Sequence, residues 1–213
     1  MSKEKSTEKS IDKFTAVRKL TENRFLNLYE MDALTVSGAP FHYYFASRNG
    51  EEELPLYTGQ TRSNGIVIYP VWKEDPDKIV LIRQYRYPVN RWLYELPAGL
   101  IDEGETAEQA AAREMKEETG LCFEPYTGGD AAFRRPVYLG AGMTDETSTS
   151  VFGYAAGDIS ERFQEDSERI EVVFADKAEV RRILRCENVS LRAAFLLMNF
   201  LQMSRENPFG FLE

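Results

Sequence analysis

Residues 98–121 read AGLIDEGETAEQAAAREMKEETGL. The second half predicts a helix from about Ala107 to Thr119. Thr106 and Gln109 have the spacing of a capping box, and Gly120 is the residue type that ends helices in a left-handed turn. On such a helix Glu114, Glu117 and Glu118 are neighbours, with Cβ atoms about 5–6 Å apart. Two unit charges at about 5 Å repel by about 3 kcal/mol at an effective dielectric of 20, and by less than about 1 kcal/mol when fully solvated. Two readings stand side by side: water solvates an acidic face, or a cation belongs among the carboxylates.

The preceding loop favours the cation. Gly99, Gly104 and Glu105 fall just before the capped helix, and Glu95 stands a little upstream. A glycine-containing turn lets backbone carbonyls approach a ligand closely. Carboxylate and carbonyl oxygens suit Mg²⁺ or Mn²⁺ rather than zinc, and Mg²⁺ usually works with substrate phosphates and waters. His42 is the single histidine of the chain, so zinc sites built on several histidines are excluded. His42 lies in an aromatic, strand-like run and reads as structural, which leaves acid–base chemistry to carboxylates.

The rest of the chain sets bounds. With 213 residues, 43% hydrophobic and 29% charged, it has the make-up of one sizeable globular domain, or a compact domain with a small extension. A net charge of −9 argues against a broad nucleic-acid surface. No apolar run approaches the ~20 residues of a membrane span. The polar start, MSKEKSTEKSIDK, lacks the apolar centre of a signal peptide and is expected to be a disordered tail over residues 1–20. Two cysteines far apart, Cys122 and Cys186, fit a reducing cytoplasm better than a disulfide scaffold. Strands are predicted in RFLNLYEMDALTV and FHYYFASR around a turn at SGAP, then in GIVIYPVW and KIVLIRQYRY. A short extended RWLYELPAG follows, with later strands in PVYLG, STSVFGYAAG and RIEVVFA. Helices are predicted in KAEVRRILRC and LRAAFLLMNFLQMS. That order gives an α+β class with a layered mixed sheet.

The 23 residues Gly99–Leu121 resemble the Nudix box, G-x5-E-x7-R-E-U-x-E-E-x-G-U, where U is a bulky aliphatic residue. Gly99, Glu105, Arg113, Glu114, Met115, Glu117, Glu118, Gly120 and Leu121 fill every fixed position. The resemblance implies a hydrolase of nucleoside diphosphates linked to another group, on an α/β/α sandwich with a mixed sheet. It implies Glu114, Glu118 and the Ala98 carbonyl as metal ligands, with Glu117 a further ligand or a group that orients water. Arg113 orients a neighbouring glutamate in that pattern, and Glu117 and Glu118 are expected at the surface of a cleft.

Beyond the box, from about Phe25 onward, the chain is similar to the ADP-ribose and ADP-sugar pyrophosphatase branch. Pro136, sixteen residues after Gly120, and the ending NPFGFLE fit that branch. The resemblance implies an N-terminal β unit over residues 21–62 that dimerises, a catalytic domain over 63–213, and a homodimer. It implies Tyr43 on the adenine, with Arg48 nearby, Arg86 on the phosphates and Glu146 in the substrate loop. The general base would come from a later loop, with Glu168 the first candidate and Glu165 and Asp166 beside it. The segment GAGMTDETS departs from the Pro-Gly often found there, which bears on the sugar. The expected partner is a nucleotide sugar, neither nucleic acid nor membrane. GDP-mannose or UDP-glucose hydrolysis is the alternative substrate reading, and a non-catalytic nucleotide-sugar sensor the alternative class.

Overall fold

The segment GIVIYPVW is apolar along its whole length, as a strand covered on both faces requires. In the computed structural model, which describes residues 13–164 and 169–213, it is strand β4 of eleven. The elements in chain order are β1 (Phe14–Lys19), β2 (Asn27–Leu34), β3 (Pro40–Ser47), α1 (Pro55–Thr58), β4 (Gly65–Trp72), β5 (Lys78–Arg86), β6 (Arg91–Glu95), β7 (Ala98–Leu100), α2 (Ala107–Thr119), β8 (Cys122–Pro125), β9 (Val137–Tyr138), β10 (Thr147–Ala156), β11 (Ile170–Asp176), α3 (Lys177–Cys186) and α4 (Leu191–Gln202). They divide into two compact units: the residues up to Thr61 with Tyr138–Glu146, and Arg62–Val137 with Thr147–Glu213.

In the second unit the sheet order is β11-β5-β4-β10-β8, with β6 on β5 and β7 on β4. β10 runs parallel to β4, while β5, β7 and β8 pair antiparallel with their neighbours, so the sheet is mixed. Side chains of a strand alternate between faces, and β4 uses both. Val67, Tyr69 and Val71 join Val180 and Ile183 of α3 and Ala193, Leu197 and Phe200 of α4 in one core. Ile66 and Ile68 join Ala110, Ala111 and Met115 of α2 in the other. The result is an α/β/α sandwich, and its second core fixes α2 against the sheet.

The first unit is a three-stranded antiparallel sheet, β1-β2-β3. Val17, Tyr29, Phe45 and Leu54 form its small core, with the rings of Tyr29 and Phe45 stacked at 5.3 Å. Residues 14–19, expected within a tail, are a strand. Their polar letters hide an alternation in which Val17 is buried and Arg18 is neutralised by Glu30 and Asp32 across the ladder. His42, on β3, sits with Nδ1 3.0 Å from Asp32 in the same charged lattice, as a structural reading requires. The short strand β8, not anticipated from sequence, continues the sheet beside β10 directly after the end of α2. Both cysteines are free and exposed, and among the described residues no helix is long and apolar enough to cross a membrane.

Tyr69 is fully buried, its ring packed against Phe152, Phe209 and Phe211, and its Oη has no hydrogen-bond partner among the described residues. Burial pushes the phenol well above its ordinary pKa. A buried hydroxyl without a partner is a cost, so Tyr69→Phe is expected to raise the unfolding free energy by about 1 kcal/mol. Urea denaturation of both proteins measures this, and a clear loss of stability in the variant would mean that the hydroxyl is satisfied.

Candidate active site

Helix α2 begins with the reciprocal capping box: the Thr106 hydroxyl accepts from the Gln109 N–H, and the Gln109 side chain accepts from the Thr106 N–H. It ends at Gly120, whose φ of 79° is left-handed and whose N–H donates to the Lys116 carbonyl at 3.0 Å. A Cβ at Gly120 would also lie 2.3 Å from the Ser160 nitrogen, so only glycine fits there. These two caps and the buried Ala110, Ala111 and Met115 fix the rotation of the helix. Its Glu114, Glu117 and Arg113 line a cleft of about 590 Å³ together with Ala98, Gly99, Leu100, Asp102 and Phe163.

Strand β7 brings the loop to this helix through pairing of Ala98, Gly99 and Leu100 with Val67, Ile66 and Gly65 of β4. Glycine at 99 is a matter of space: a Cβ there would come within 2.0 Å of the Glu114 carboxylate. Arg113 binds loop and helix together. Its Nε and Nη2 donate to the two oxygens of Glu105 at 3.0 and 2.9 Å, and Nη2 also donates to the Leu100 carbonyl at 2.9 Å. Its Nη1 donates to Glu114 at 2.8 Å and to Glu117 at 2.9 Å. The guanidinium holds the Glu105 carboxyl below its ordinary pKa, and the Asp102 N–H adds to the effect. The carboxylates, Glu105 first, raise Arg113 in turn.

The three glutamates of the helix are not equivalent. The side chain of Glu117 is 45% exposed and that of Glu114 14%. Glu118, expected at a cleft surface, is instead buried at 3% and accepts from the Ala98 N–H at 3.2 Å. Its position one residue past Glu117 turns it toward β7 rather than toward solvent. Among the described residues no three acidic, histidine or cysteine side chains are gathered closely enough to close around an ion as they stand. Arg113 meanwhile bridges Glu114 and Glu117. The donor set is nonetheless oxygen only, borders one cleft, and includes a buried carboxylate beside the Ala98 backbone, which fits a hard divalent cation.

The remaining predicted residues fall in both units. Arg86, at the end of β5 in the second unit, donates to Glu95 through Nε at 3.2 and 3.1 Å and also through Nη2. In the first unit Arg48 donates to Glu146 at 3.0 Å, which brings those two together. The Tyr43 hydroxyl donates to the Gly142 carbonyl at 2.7 Å. Tyr43 lines an apolar cavity of about 400 Å³ within that unit, with Phe14, Phe41 and Phe45. Glu165, Asp166 and Glu168 lie outside the described residues. Phe163 in the cleft wall was not singled out from sequence, and Glu95, expected beside the cation loop, is the partner of Arg86 and not among the described residues that line the cleft. The first sits in a loop with no pattern, and the second depends on strand register.

The NUDIX domain family model matches residues 61–193, well over half of the chain. The chain belongs to the Nudix family. A putative Nudix hydrolase 2 of Caenorhabditis elegans is 39% identical over 118 residues, 53% of this chain and 51% of that protein. The ADP-ribose pyrophosphatase of Bacillus subtilis is 27% identical over 161 residues, 71% of this chain and 83% of that protein. The match thus spans about half the length of the worm relative and most of the bacterial one. A crystal structure of an ADP compounds hydrolase superposes with a TM-score of 0.64 over 87% of this chain and 90% of that one, at 20% identity, and so shares the Nudix fold.

Because Glu105 is held below its unfolded pKa, its contribution to stability is present above the ordinary carboxylate value of 4.5 and is lost as pH falls through the lowered one. Glu105→Gln is therefore expected to cost about 1–3 kcal/mol at neutral pH, the worth of hydrogen bonds to a charged group. The gap between variant and native protein closes as the pH is lowered beyond that point. Thermal melts across the acid range read it, and a constant gap at every pH would show that the charge of Glu105 is not what matters.

Proposed function

We propose that this chain hydrolyses the pyrophosphate bond of a nucleoside diphosphate sugar, with ADP-ribose, cleaved to AMP and ribose 5-phosphate, as its substrate. The observation that carries the reading is the gathering of Glu114, Glu117, Arg113 and the Gly99 loop on the wall of one cleft, with Glu118 buried against the Ala98 N–H. The activity in the name of the B. subtilis relative supports the choice of ADP-ribose.

In this reading Glu114, Glu117, Glu118 and the Ala98 carbonyl hold Mg²⁺, with Mn²⁺ as a substitute. The bound cation supplies Lewis-acid polarisation of the phosphate and a water of lowered pKa. Arg113 keeps the Glu105 loop on the helix, and its Nη1 donates to Glu114 and Glu117, the carboxylates that would hold the ion. Arg86 binds the phosphates through charge-assisted hydrogen bonds. Tyr43 stacks on adenine, with Arg48 and Glu146 on the rest of the nucleotide sugar. A carboxylate from residues 165–168, Glu168 in our assignment, takes the proton from the attacking water.

The aromatic strand β3, with Phe41, Tyr43 and Tyr44 exposed, supports a homodimer built through the first unit. Two free exposed thiols support a cytoplasmic location.

Purified protein with ADP-ribose and Mg²⁺ is expected to release AMP, to stop with EDTA and to resume with added Mg²⁺. Glu118→Gln is expected to lower kcat by about two to three orders of magnitude, the size of several kcal/mol of lost transition-state stabilisation. A panel with GDP-mannose and UDP-glucose tests the base. Equal kcat/KM on all three would remove the adenine-stacking role of Tyr43, and absence of AMP would remove the substrate.

A further inference from the structure

The segment Ser160–Gln164 is tied to the last turn of α2. The Ser160 N–H donates to the Thr119 carbonyl at 3.0 Å, and the Gln164 side-chain amide donates to the Glu118 carbonyl at 2.9 Å. The last carbonyls of a helix have no partner within it, so the segment takes up two of them. Inside the segment the Arg162 N–H donates to the Ser160 hydroxyl at 3.3 Å. These bonds hold the segment on the helix that carries Glu114 and Glu117.

Phe163 stands between the two ties. It lines the same cleft as Gly99, Glu114 and Glu117, and it is the one aromatic among the described residues of that lining. Its side chain is 46% exposed and, among the described residues, belongs to neither core of the sheet. The Lys116 ammonium lies 5.5 Å and the Arg162 guanidinium 5.8 Å from its ring centroid, as the negative face of an aromatic ring favours. Lys116 is itself held, since it donates to the Gly120 carbonyl at 2.6 Å. Single exposed apolar side chains are ordinary on a protein surface. A ring fastened beside the carboxylates, flanked by two cations and left out of both cores, has another use than packing.

The surroundings match a sugar. One face of a sugar ring is made of C–H bonds, which meet the negative face of an aromatic ring. The hydroxyls at its edge accept from an ammonium or a guanidinium. In a nucleoside diphosphate sugar that ring is bonded to the phosphate on which the carboxylate helix acts, while the base is assigned to Tyr43. Resting on the reading that such a compound is the substrate, we infer that Phe163 is the platform on which its sugar stacks. Phe163 then determines how tightly the group beyond the diphosphate is held, and it takes no part in metal binding or proton transfer.

The test is calorimetric binding, with Mg²⁺ present, of two α,β-methylene analogues, one of ADP-ribose and one of ADP, which lacks the sugar. Phe163→Ala is expected to weaken the ADP-ribose analogue about tenfold and to leave the ADP analogue within about twofold. Phe163→Tyr keeps the ring face and is expected to bind both as the native protein does. Melting curves are the fold control, and Phe163→Leu takes the place of Phe163→Ala if that variant does not fold. In turnover Phe163→Ala is expected to raise KM for ADP-ribose about tenfold and to leave kcat within about threefold.

Equal losses for both analogues in Phe163→Ala would overturn the inference alone, because the ring would then serve the base or the helix. So would no loss for either analogue, or a loss in Phe163→Tyr as large as in Phe163→Ala. No binding of the ADP-ribose analogue to the native protein would overturn the inference together with the substrate reading. The expected split in binding with no AMP released from ADP-ribose would leave the inference standing and overturn the activity.

Discussion

The guanidinium of Arg113 is the constraint on which the rest of the site depends. Glu105, Glu114 and Glu117 repel one another, and one planar cation bonded to all three offsets part of that repulsion. The same group reaches the Leu100 carbonyl, so it also fastens the loop that carries Gly99 to the helix. Lysine would not serve, because a single ammonium cannot present donors along two edges of a plane. The loop and the helix are thereby joined by one side chain that holds the carboxylates in place.

That assembly in turn rests on the helix being rotationally fixed. A shift of one residue would turn every glutamate by about 100° around the axis, given 3.6 residues per turn. Two caps and three buried side chains prevent it: the Thr106–Gln109 box, the left-handed Gly120, and Ala110, Ala111 and Met115 against Ile66 and Ile68. Gly120 bears a second demand, since the chain passes so close to Ser160 that any side chain would collide with it. The box residues that carry no charge are thus as necessary to the chemistry as those that do.

These local features are the ones legible in the letters. The bounds of α2, both its caps, the two-faced β4 and the helices α3 and α4 follow from short-range pattern, because each is decided by neighbours within a few residues. What was not legible depends on partners far along the chain. Phe14–Lys19 reads as a tail because the groups that neutralise Arg18, Glu30 and Asp32, lie beyond the next turn. Cys122–Pro125 is a strand only because β10 lies beside it. The burial of Glu118 follows from β7 folding back over the helix, and the Glu95–Arg86 pair from a strand register that composition does not encode.

The unequal burial of the helix glutamates gives the cluster an internal order. Coulomb interactions strengthen as the local dielectric falls, so a carboxylate 3% exposed attracts a cation more strongly than one 45% exposed. Burial has an opposite side: a carboxylate out of water without compensation tends to take up a proton. Glu118 meets this with the Ala98 N–H, which favours the ionised form, whereas Glu114 and Glu117 rely on Arg113. Glu114 and Glu117 share one donor, the Arg113 Nη1. The helix thus presents one carboxylate held by backbone and two held by a shared arginine, three different environments within five residues.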